Sequence, residues 1–291
     1  MIPRFALARP TSLADAFAAF GAADGDAAFI AGGTELLQVM KMGFAQFGTL
    51  VDLKGIADLH GITRTADGGL RIGAATTHRE IERSPLVATA FPGLVALARG
   101  VANVRVRSTG TIGGNLAFAE PHSDPATLLL ASDARIELAG PTGTRSLPVG
   151  DFLLGPLATA RDADEILVAI VIPPAGPGEG RQYGKLAYFE RPAASVAVRL
   201  TVRAGVVDRA AVAVGSISEV PELLPSAATA LVGVAAEPGP FGDALGGAAS
   251  AFATIDAVED LNGDAEYKRH LAGVLLRSTG QAALAEAVAH A

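Results

Sequence analysis

The stretch Ala27-Ala28-Phe29-Ile30-Ala31-Gly32-Gly33-Thr34-Glu35-Leu36-Leu37 decides how the fold of this sequence is predicted. Its first four residues predict a short buried strand, the glycine pair predicts a tight turn, and Thr34 is placed to cap a following helix. Glycine lets a chain bend sharply and lets backbone N–H groups approach an anion closely. Strand, glycine turn and helix, in that order, are typical of a phosphate cradle.

A second glycine pair occurs about eighty residues later, in Thr111-Ile112-Gly113-Gly114-Asn115. It follows Val104–Arg107, where valine alternates with arginine and predicts a strand with a solvated arginine face. In a chain with 34 glycines, either pair by itself can be an ordinary tight turn, and neither matches the dinucleotide or Walker patterns. Together the two turns could converge on the two phosphates of one pyrophosphate, which is a hypothesis about a binding site.

The rest of the chain contains further strand and helix signals in three regions. Predicted strands are 50–53, 70–74, 134–138, 165–172, 195–201 and 210–214, and predicted helices begin at 10–12, Thr77, Pro85 (to Arg99), near Asp124 and at Asp264 (to Ala289). The segment 173–180, rich in proline and glycine, predicts a linker. We therefore expect units at 1–55, 56–175 and 181–291. The inward face of the last helix is predicted to hold Tyr267, Leu271, Val274 and Leu275.

Composition excludes several classes of function. The net charge is −7, and the charged residues, 18% of the chain, are scattered in both signs, so no basic surface for nucleic acid is expected. Cysteine is absent, which excludes disulfides, thiolate nucleophiles and an iron–sulfur cluster bound by this chain. The five histidines show no close metal-ligand spacing, so no bound metal is expected. Without a leader pattern or an apolar run of about 18 residues, we expect a cytoplasmic protein with no membrane span.

The two glycine segments resemble the two flavin motifs of a known family, the FAD-binding (medium) subunits of molybdenum hydroxylases of the xanthine and carbon monoxide dehydrogenase type. The first motif corresponds to residues 31–37 with Met40-Lys41-Met42-Gly43, and the second to residues 111–117. The resemblance continues in order along nearly the whole chain, at Ser123-Asp124-Pro125, Glu165-Ile166-Leu167, Ile172-Pro173, Lys185, Asp260-Leu261-Asn262-Gly263 and Tyr267-Lys268-Arg269.

The resemblance implies an α+β fold of the para-cresol methylhydroxylase-like type. In that fold two α/β subdomains hold an extended FAD, and a smaller carboxy-terminal α+β domain with an antiparallel sheet follows. It also implies two partners, a [2Fe-2S] small subunit and a molybdenum-cofactor large subunit, in a dimer of heterotrimers. Electrons would pass from the clusters through FAD to NAD+, quinone or O2.

The resemblance also assigns roles to residues. Residues 29–36 and 111–115 would surround the pyrophosphate, with backbone amides and the hydroxyls of Thr34 and Thr111 as donors. Asp124 would accept a hydrogen bond from FAD, the backbone near Leu167 would border the flavin, and Lys185 would supply positive charge. Taken without the resemblance, Asp124 is equally a helix N-cap and Lys185 a solvated side chain. His122 is predicted to be a surface loop residue.

The sequence departs from the family pattern in residues 187–195, where one arginine, Arg191, and no aspartate follow the lysine. Contacts to an electron acceptor are therefore not assigned in this stretch. Two other functions stay open at this point: a self-sufficient flavin oxidase or reductase of the same fold, and a scaffolding subunit that has lost its cofactor. Flavin content and its mode of attachment distinguish the three.

Overall fold

The first unit is a small parallel sheet with two helices. The computed structural model describes residues 2–291. Its first elements are β1 Ala6–Ala8, α1 Leu13–Gly21, β2 Ala27–Ile30, α2 Leu36–Met42 and β3 Thr49–Asp52, followed by 3₁₀ turns at Leu53–Gly55 and Ala57–Leu59. The strand order is β1-β3-β2, with both pairs parallel. The Ser12 side chain caps α1 by accepting from the Asp15 amide, as the sequence predicted.

The second unit is a five-stranded antiparallel sheet covered by helices. Its elements are β4 Ile62–Arg64, β5 Leu70–Gly73, α3 His78–Arg83, α4 Pro85–Ala90, α5 Pro92–Gly100, α6 Val104–Thr109, α7 Ile112–Phe118, α8 Asp124–Ala131, β6 Arg135–Gly140, β7 Gly143–Pro148, α9 Val149–Phe152, β8 Leu153–Gly155, β9 Ala158–Thr159 and β10 Ile166–Ile172. The order in the sheet is β4-β5-β10-β6-β7. Strand β10 is central, and its two faces enter two different hydrophobic cores, with Leu167 in one and Val168 in the other.

The third unit is a four-stranded antiparallel sheet with helices packed against it. Its elements are β11 Glu179–Ala187, β12 Pro192–Arg203, β13 Val206–Gly215, β14 Glu222–Leu223, α10 Pro225–Leu231, α11 Pro238–Ala248, the 3₁₀ segment Ala249–Thr254 and α12 Ala265–Ala289. The strand order is β11-β12-β13-β14. Within residues 2–291, no helix has the length and apolar character needed to cross a bilayer.

Helix α8 joins the second unit to the third. All eight of its residues are buried, as expected for a helix with packing partners on every side. It contacts β12 and β13, and a Cβ at Gly215 would lie 2.0 Å from the Thr127 hydroxyl oxygen. This close approach places the amino-terminal end of α8, and therefore Asp124, against the carboxy-terminal sheet.

Two local predictions around the second motif are wrong. Val104–Arg107 is not a strand but part of α6, because the Asn103 side chain caps that helix by accepting from the amides of Arg105 and Val106. An alternation over four residues is too short to distinguish a strand from one helical turn. Gly113 and Gly114 likewise lie inside α7 rather than in a turn, with Thr111 as its N-cap.

Four other predicted details differ. Thr34 does not cap α2; the N-cap position is Glu35, whose side chain makes no capping hydrogen bond. The helix predicted over 85–99 is two helices, because Pro92 has no N–H to continue α4 and instead starts α5. Strand β11 begins at Glu179, inside the predicted linker.

The fourth difference concerns half of the predicted inward face of α12, because Leu271 and Leu275 do pack against the core but the other two residues do not. Tyr267 is 38% exposed and Val274 is 48% exposed. The buried set along this part of the helix instead contains Lys268, Ala272 and Leu276. The burial of a lysine explains the error, because an apolar pattern cannot anticipate it.

Candidate functional site

The two glycine segments meet in space. A Cβ built on Gly32 would lie 2.3 Å from the Thr109 carbonyl oxygen and 2.8 Å from the Gly110 Cα. Real Cβ atoms do not approach backbone so closely, so only glycine fits at position 32. On the other side of the junction, a Cβ on Gly114 would lie 4.0 Å from the Ala31 Cβ. The end of β2 therefore packs directly against the start of the second motif.

The first segment presents a row of backbone donors. Gly33 has φ +71°, the left-handed region that favours glycine, and turns the chain between β2 and α2. Within residues 2–291, no backbone or side-chain acceptor bonds the amide groups of residues 32–36, whereas the next amide, that of Leu37, donates to the Gly33 carbonyl at 3.2 Å. The Thr34 residue is exposed beside them. Unpaired amides at a partly buried turn are the donor set that binds an anion such as a phosphate.

The second segment is organised differently. The Ile112 amide donates to the Thr76 carbonyl at 3.0 Å, and the Gly113 amide donates to the Ala74 carbonyl at 2.9 Å. The Gly114 amide donates to the Thr111 hydroxyl at 3.0 Å. These bonds differ from the expectation that the amides of this motif point outward to a phosphate. The motif instead holds its own helix against β5, and a Cβ on Gly113 would lie 2.4 Å from that of Ala74.

Asn115 and Thr111 are the polar side chains of the second segment. The Asn115 amide oxygen accepts from the Ser123 hydroxyl at 2.5 Å, which ties α7 to the loop before α8. The backbone N–H of Asn115 donates to the Thr111 carbonyl at 3.0 Å. The Thr111 side chain therefore caps α7, and the Asn115 side chain fixes this helix against the start of α8.

Asp124 and Lys185 form a buried pair between the second and third units. The Lys185 ammonium lies 2.7 Å from a carboxylate oxygen of Asp124 and donates to the Gly100 carbonyl at 2.9 Å. The Tyr183 hydroxyl donates to the other carboxylate oxygen. Asp124 is only 5% exposed, and this burial raises its pKa more than Lys185 and Tyr183 lower it. Asp124 is therefore not a simple N-cap, a position held by Ser123, and Lys185 is not a solvated lysine.

Leu167 lies on the central strand behind the second motif. It is buried, and the pairing of β10 with β6 contains an irregularity between Leu167 and Ala169. The neighbouring Val168 carbonyl accepts from the Ala74 amide at 3.0 Å. Since the Ala74 carbonyl in turn accepts from Gly113, a continuous hydrogen-bonded path connects β10 to the glycine segment.

A charged network that the sequence did not predict lies across the same region. Arg191 bridges Glu120 at 3.0 Å and Glu35 at 3.3 Å. The His122 ring lies 2.8 Å from Glu120 and 2.9 Å from Asp260. His122 is therefore not a free surface residue. Burial opposes its positive charge, but Glu120 and Asp260 raise the pKa of His122 above its ordinary value. No short-range signal could reveal these contacts, because the partners are up to 156 positions apart.

Comparison with known proteins agrees with this geometry. A family model described as the FAD binding domain in molybdopterin dehydrogenase matches residues 3–175, and one described as the CO dehydrogenase flavoprotein C-terminal domain matches residues 190–283. The carbon monoxide dehydrogenase medium chain of Hydrogenophaga pseudoflava is 34% identical over 97% of this chain and 98% of its own. The nicotine 6-hydroxylase medium subunit of Paenarthrobacter nicotinovorans is 32% identical over 96% of each chain.

The solved structures agree with the sequence comparisons. A chain of carbon monoxide dehydrogenase from Hydrogenophaga pseudoflava superposes with a TM-score of 0.93 at 34% identity, covering 98% of this chain and 99% of that one. The α+β fold that the motif resemblance implied is confirmed. This chain therefore belongs to the family of FAD-binding medium subunits of the molybdenum hydroxylases.

Proposed function

We propose that this FAD-binding oxidoreductase subunit relays electrons between partner subunits and a soluble or quinone acceptor. A small partner would carry [2Fe-2S] clusters, a large partner would carry the molybdenum cofactor, and the acceptor would be NAD+, quinone or O2. We also propose a dimer of heterotrimers in the cytoplasm, and units at 1–55, 56–175 and 181–291. The absence of cysteine from the chain supports the small partner, because the thiolates that hold such clusters must then come from another chain.

The observation that carries the proposal is the junction of the two glycine segments. The amides of residues 32–36 have no acceptor within residues 2–291, and the contact of Gly32 with Thr109 and Gly110 closes this turn against the second motif. A doubly charged pyrophosphate would satisfy several of these amides together. Ala31, Gly33, Thr34 and Glu35 belong to the same turn and would bind it from one side.

The remaining site residues would hold the other parts of the cofactor. We assign Phe29, Ile30 and Leu36 to the walls of the pyrophosphate turn, and Thr111 to Asn115 to its opposite side. Asp124, Lys185 and the backbone at Leu167 would border the flavin end. Bound FAD supplies the exchange between one-electron and two-electron transfer. In the chain itself, the Lys185 ammonium lies 2.7 Å from the Asp124 carboxylate and balances its charge.

The proposal is tested first by the flavin content of the full chain. We expect the purified protein to be yellow and to release FAD, and not FMN, in near-equal amount on denaturation, which also shows that the flavin is not covalently attached. Gly33→Val and Gly114→Val should lose FAD while Gly247→Val, at a helical site where a Cβ meets nothing within 4 Å, should keep it. Circular dichroism checks that each variant folds.

Two outcomes would contradict the proposal. A folded, colourless chain that takes up no FAD would favour a scaffolding subunit. Flavin that stays attached after denaturation would favour a self-sufficient oxidase. Co-purification with a molybdenum chain and an iron–sulfur chain in the native host tests the proposed partners separately.

A further inference from the structure

His78 lies at the point where the two glycine segments meet. Its segment runs antiparallel to the start of the second motif: the His78 amide donates to the Gly110 carbonyl at 3.1 Å, and the Ile112 amide donates to the Thr76 carbonyl at 3.0 Å. A Cβ built on Gly110 would lie 3.3 Å from the Thr34 hydroxyl oxygen and 3.6 Å from Cδ2 of the His78 ring. The ring and the hydroxyl therefore flank Gly110, and Nε2, which is bonded to Cδ2, lies at the same junction.

The His78 ring is buried but has no hydrogen-bonding partner in the described part of the chain. Of the other histidines, His60, His122 and His290 each bond a carbonyl or carboxylate oxygen, and His270 is exposed. His78 is only 3% exposed. Every fully enclosed side-chain nitrogen or oxygen of residues 2–291 has a partner, so the His78 ring nitrogens must lie at an opening. A ring N–H at an opening is free to donate to a ligand that enters there.

The surroundings of His78 keep its ring uncharged. Burial, and secondly the positive charge of Arg107, lower the pKa of His78 to about 4. Arg107 itself is held by Glu82 at 3.2 Å, one helical turn beyond His78 on α3. At neutral pH the ring therefore has one N–H donor and one acceptor nitrogen. A neutral donor can bind a diphosphate oxygen without the cost of burying a second cation beside Arg107.

We infer that the His78 ring donates a hydrogen bond from Nε2 to a diphosphate oxygen of FAD. This assignment rests on the proposed function, because it takes the junction of the glycine segments to be the diphosphate site. His78 is a positioning residue in this role: it holds the diphosphate against the amides of residues 32–36. The amides of the second motif bond within the chain, so on this side of the junction the diphosphate is bound by the His78 side chain, which packs against the motif.

ADP and riboflavin separate this role from a structural one. ADP carries the diphosphate, and riboflavin carries the flavin ring without phosphate. Titrations of the FAD-free full chain with FAD, ADP and riboflavin should show that His78→Leu, which keeps an apolar side chain but removes the donor, weakens FAD and ADP by roughly 10- to 100-fold. Riboflavin affinity should be unchanged. His78→Gln, which keeps an N–H donor, should recover part of the loss, and His270→Leu should have no effect.

Two results with a folded His78→Leu chain would overturn the assignment and leave the proposed function intact. One is an unchanged affinity for ADP, and the other is an equal loss of affinity for ADP and for riboflavin. Failure of the unaltered chain to bind FAD would overturn both. If His78→Leu does not fold, spectra of the unaltered chain labelled with ¹⁵N-histidine decide the question. The His78 ring should show a neutral tautomer whose N–H signal shifts when ADP is added and does not shift when riboflavin is added. An N–H signal that ADP leaves unchanged would refute the contact.

Discussion

Removing the positive partner of Asp124 is predicted to destabilise the chain in a pH-dependent way. Lys185→Met takes away the ammonium 2.7 Å from the carboxylate but keeps the Tyr183 hydroxyl. Breaking a buried ion pair from one side costs about 3–5 kcal/mol, because the remaining charge is left uncompensated. The Lys185 side chain is 18% exposed, so we expect a loss at the lower end of this range, about 3 kcal/mol at pH 8.

The pH dependence follows from the pKa of Asp124. Burial already raises that pKa in the folded chain, and loss of Lys185 raises it further. The folded state of the variant then binds a proton that the unfolded state has released, so its stability falls as pH rises. The unaltered chain shares the raised pKa. The deficit should therefore shrink on acidification between the folded-state pKa of Asp124 in the unaltered chain and its higher folded-state pKa in the variant, by up to about 1.4 kcal/mol per pH unit.

Urea denaturation of the FAD-free chain at pH 5 and pH 8 measures this effect. The exposed Lys41→Met serves as a matched control that removes one charge without a buried partner. The double variant Asp124→Asn with Lys185→Met should recover most of the lost stability at pH 8, because it removes both charges of this buried pair. An equal deficit for Lys185→Met at both pH values, or a double variant no more stable than the single one, would refute the reasoning.

Three further outcomes are expected. His122→Gln should lower the free energy of unfolding by about 1 kcal/mol at pH 5.5 and by less at pH 8.5. The raised pKa of His122 adds stability that is complete below the unfolded-state pKa and is lost as pH rises through the folded-state pKa. A deficit that grows with pH in urea titrations would contradict this. Gly113→Ala should cost about 1–3 kcal/mol by overpacking against Ala74, measured by the thermal midpoint against Gly247→Ala, and an unchanged midpoint would show that the contact relaxes freely. Gly32→Ala should push the first segment off the Thr109 carbonyl and weaken FAD binding roughly tenfold or more in a fluorescence titration; full affinity in a folded variant would separate this junction from the cofactor.

Local patterns in the sequence predicted the elements whose determinants are close in the chain. The capping box of Thr77 with Glu80 is present, and the long terminal helix, predicted over 264–289, spans Ala265–Ala289 with Asp264 as its N-cap. The failures have equally local causes. Val104–Arg107 resembled a strand because Asn103 was not recognised as a cap, and Pro92 divides a helix that apolar spacing alone would continue.

The site divides in the same way. The sequence by itself determined the two glycine motifs, since their spacing and composition are local, and through them the family and the cofactor. Only the tertiary structure decided that Gly32 packs on Gly110, that Lys185 neutralises Asp124, and that His78 lies unpaired at the junction. The first two contacts join residues 78 and 61 positions apart, where loop closure and packing of whole sheets set the distances. The local sequence pattern encodes which segments can form turns and which can be buried. The pairing of charges and hydrogen-bond donors depends instead on where distant segments meet.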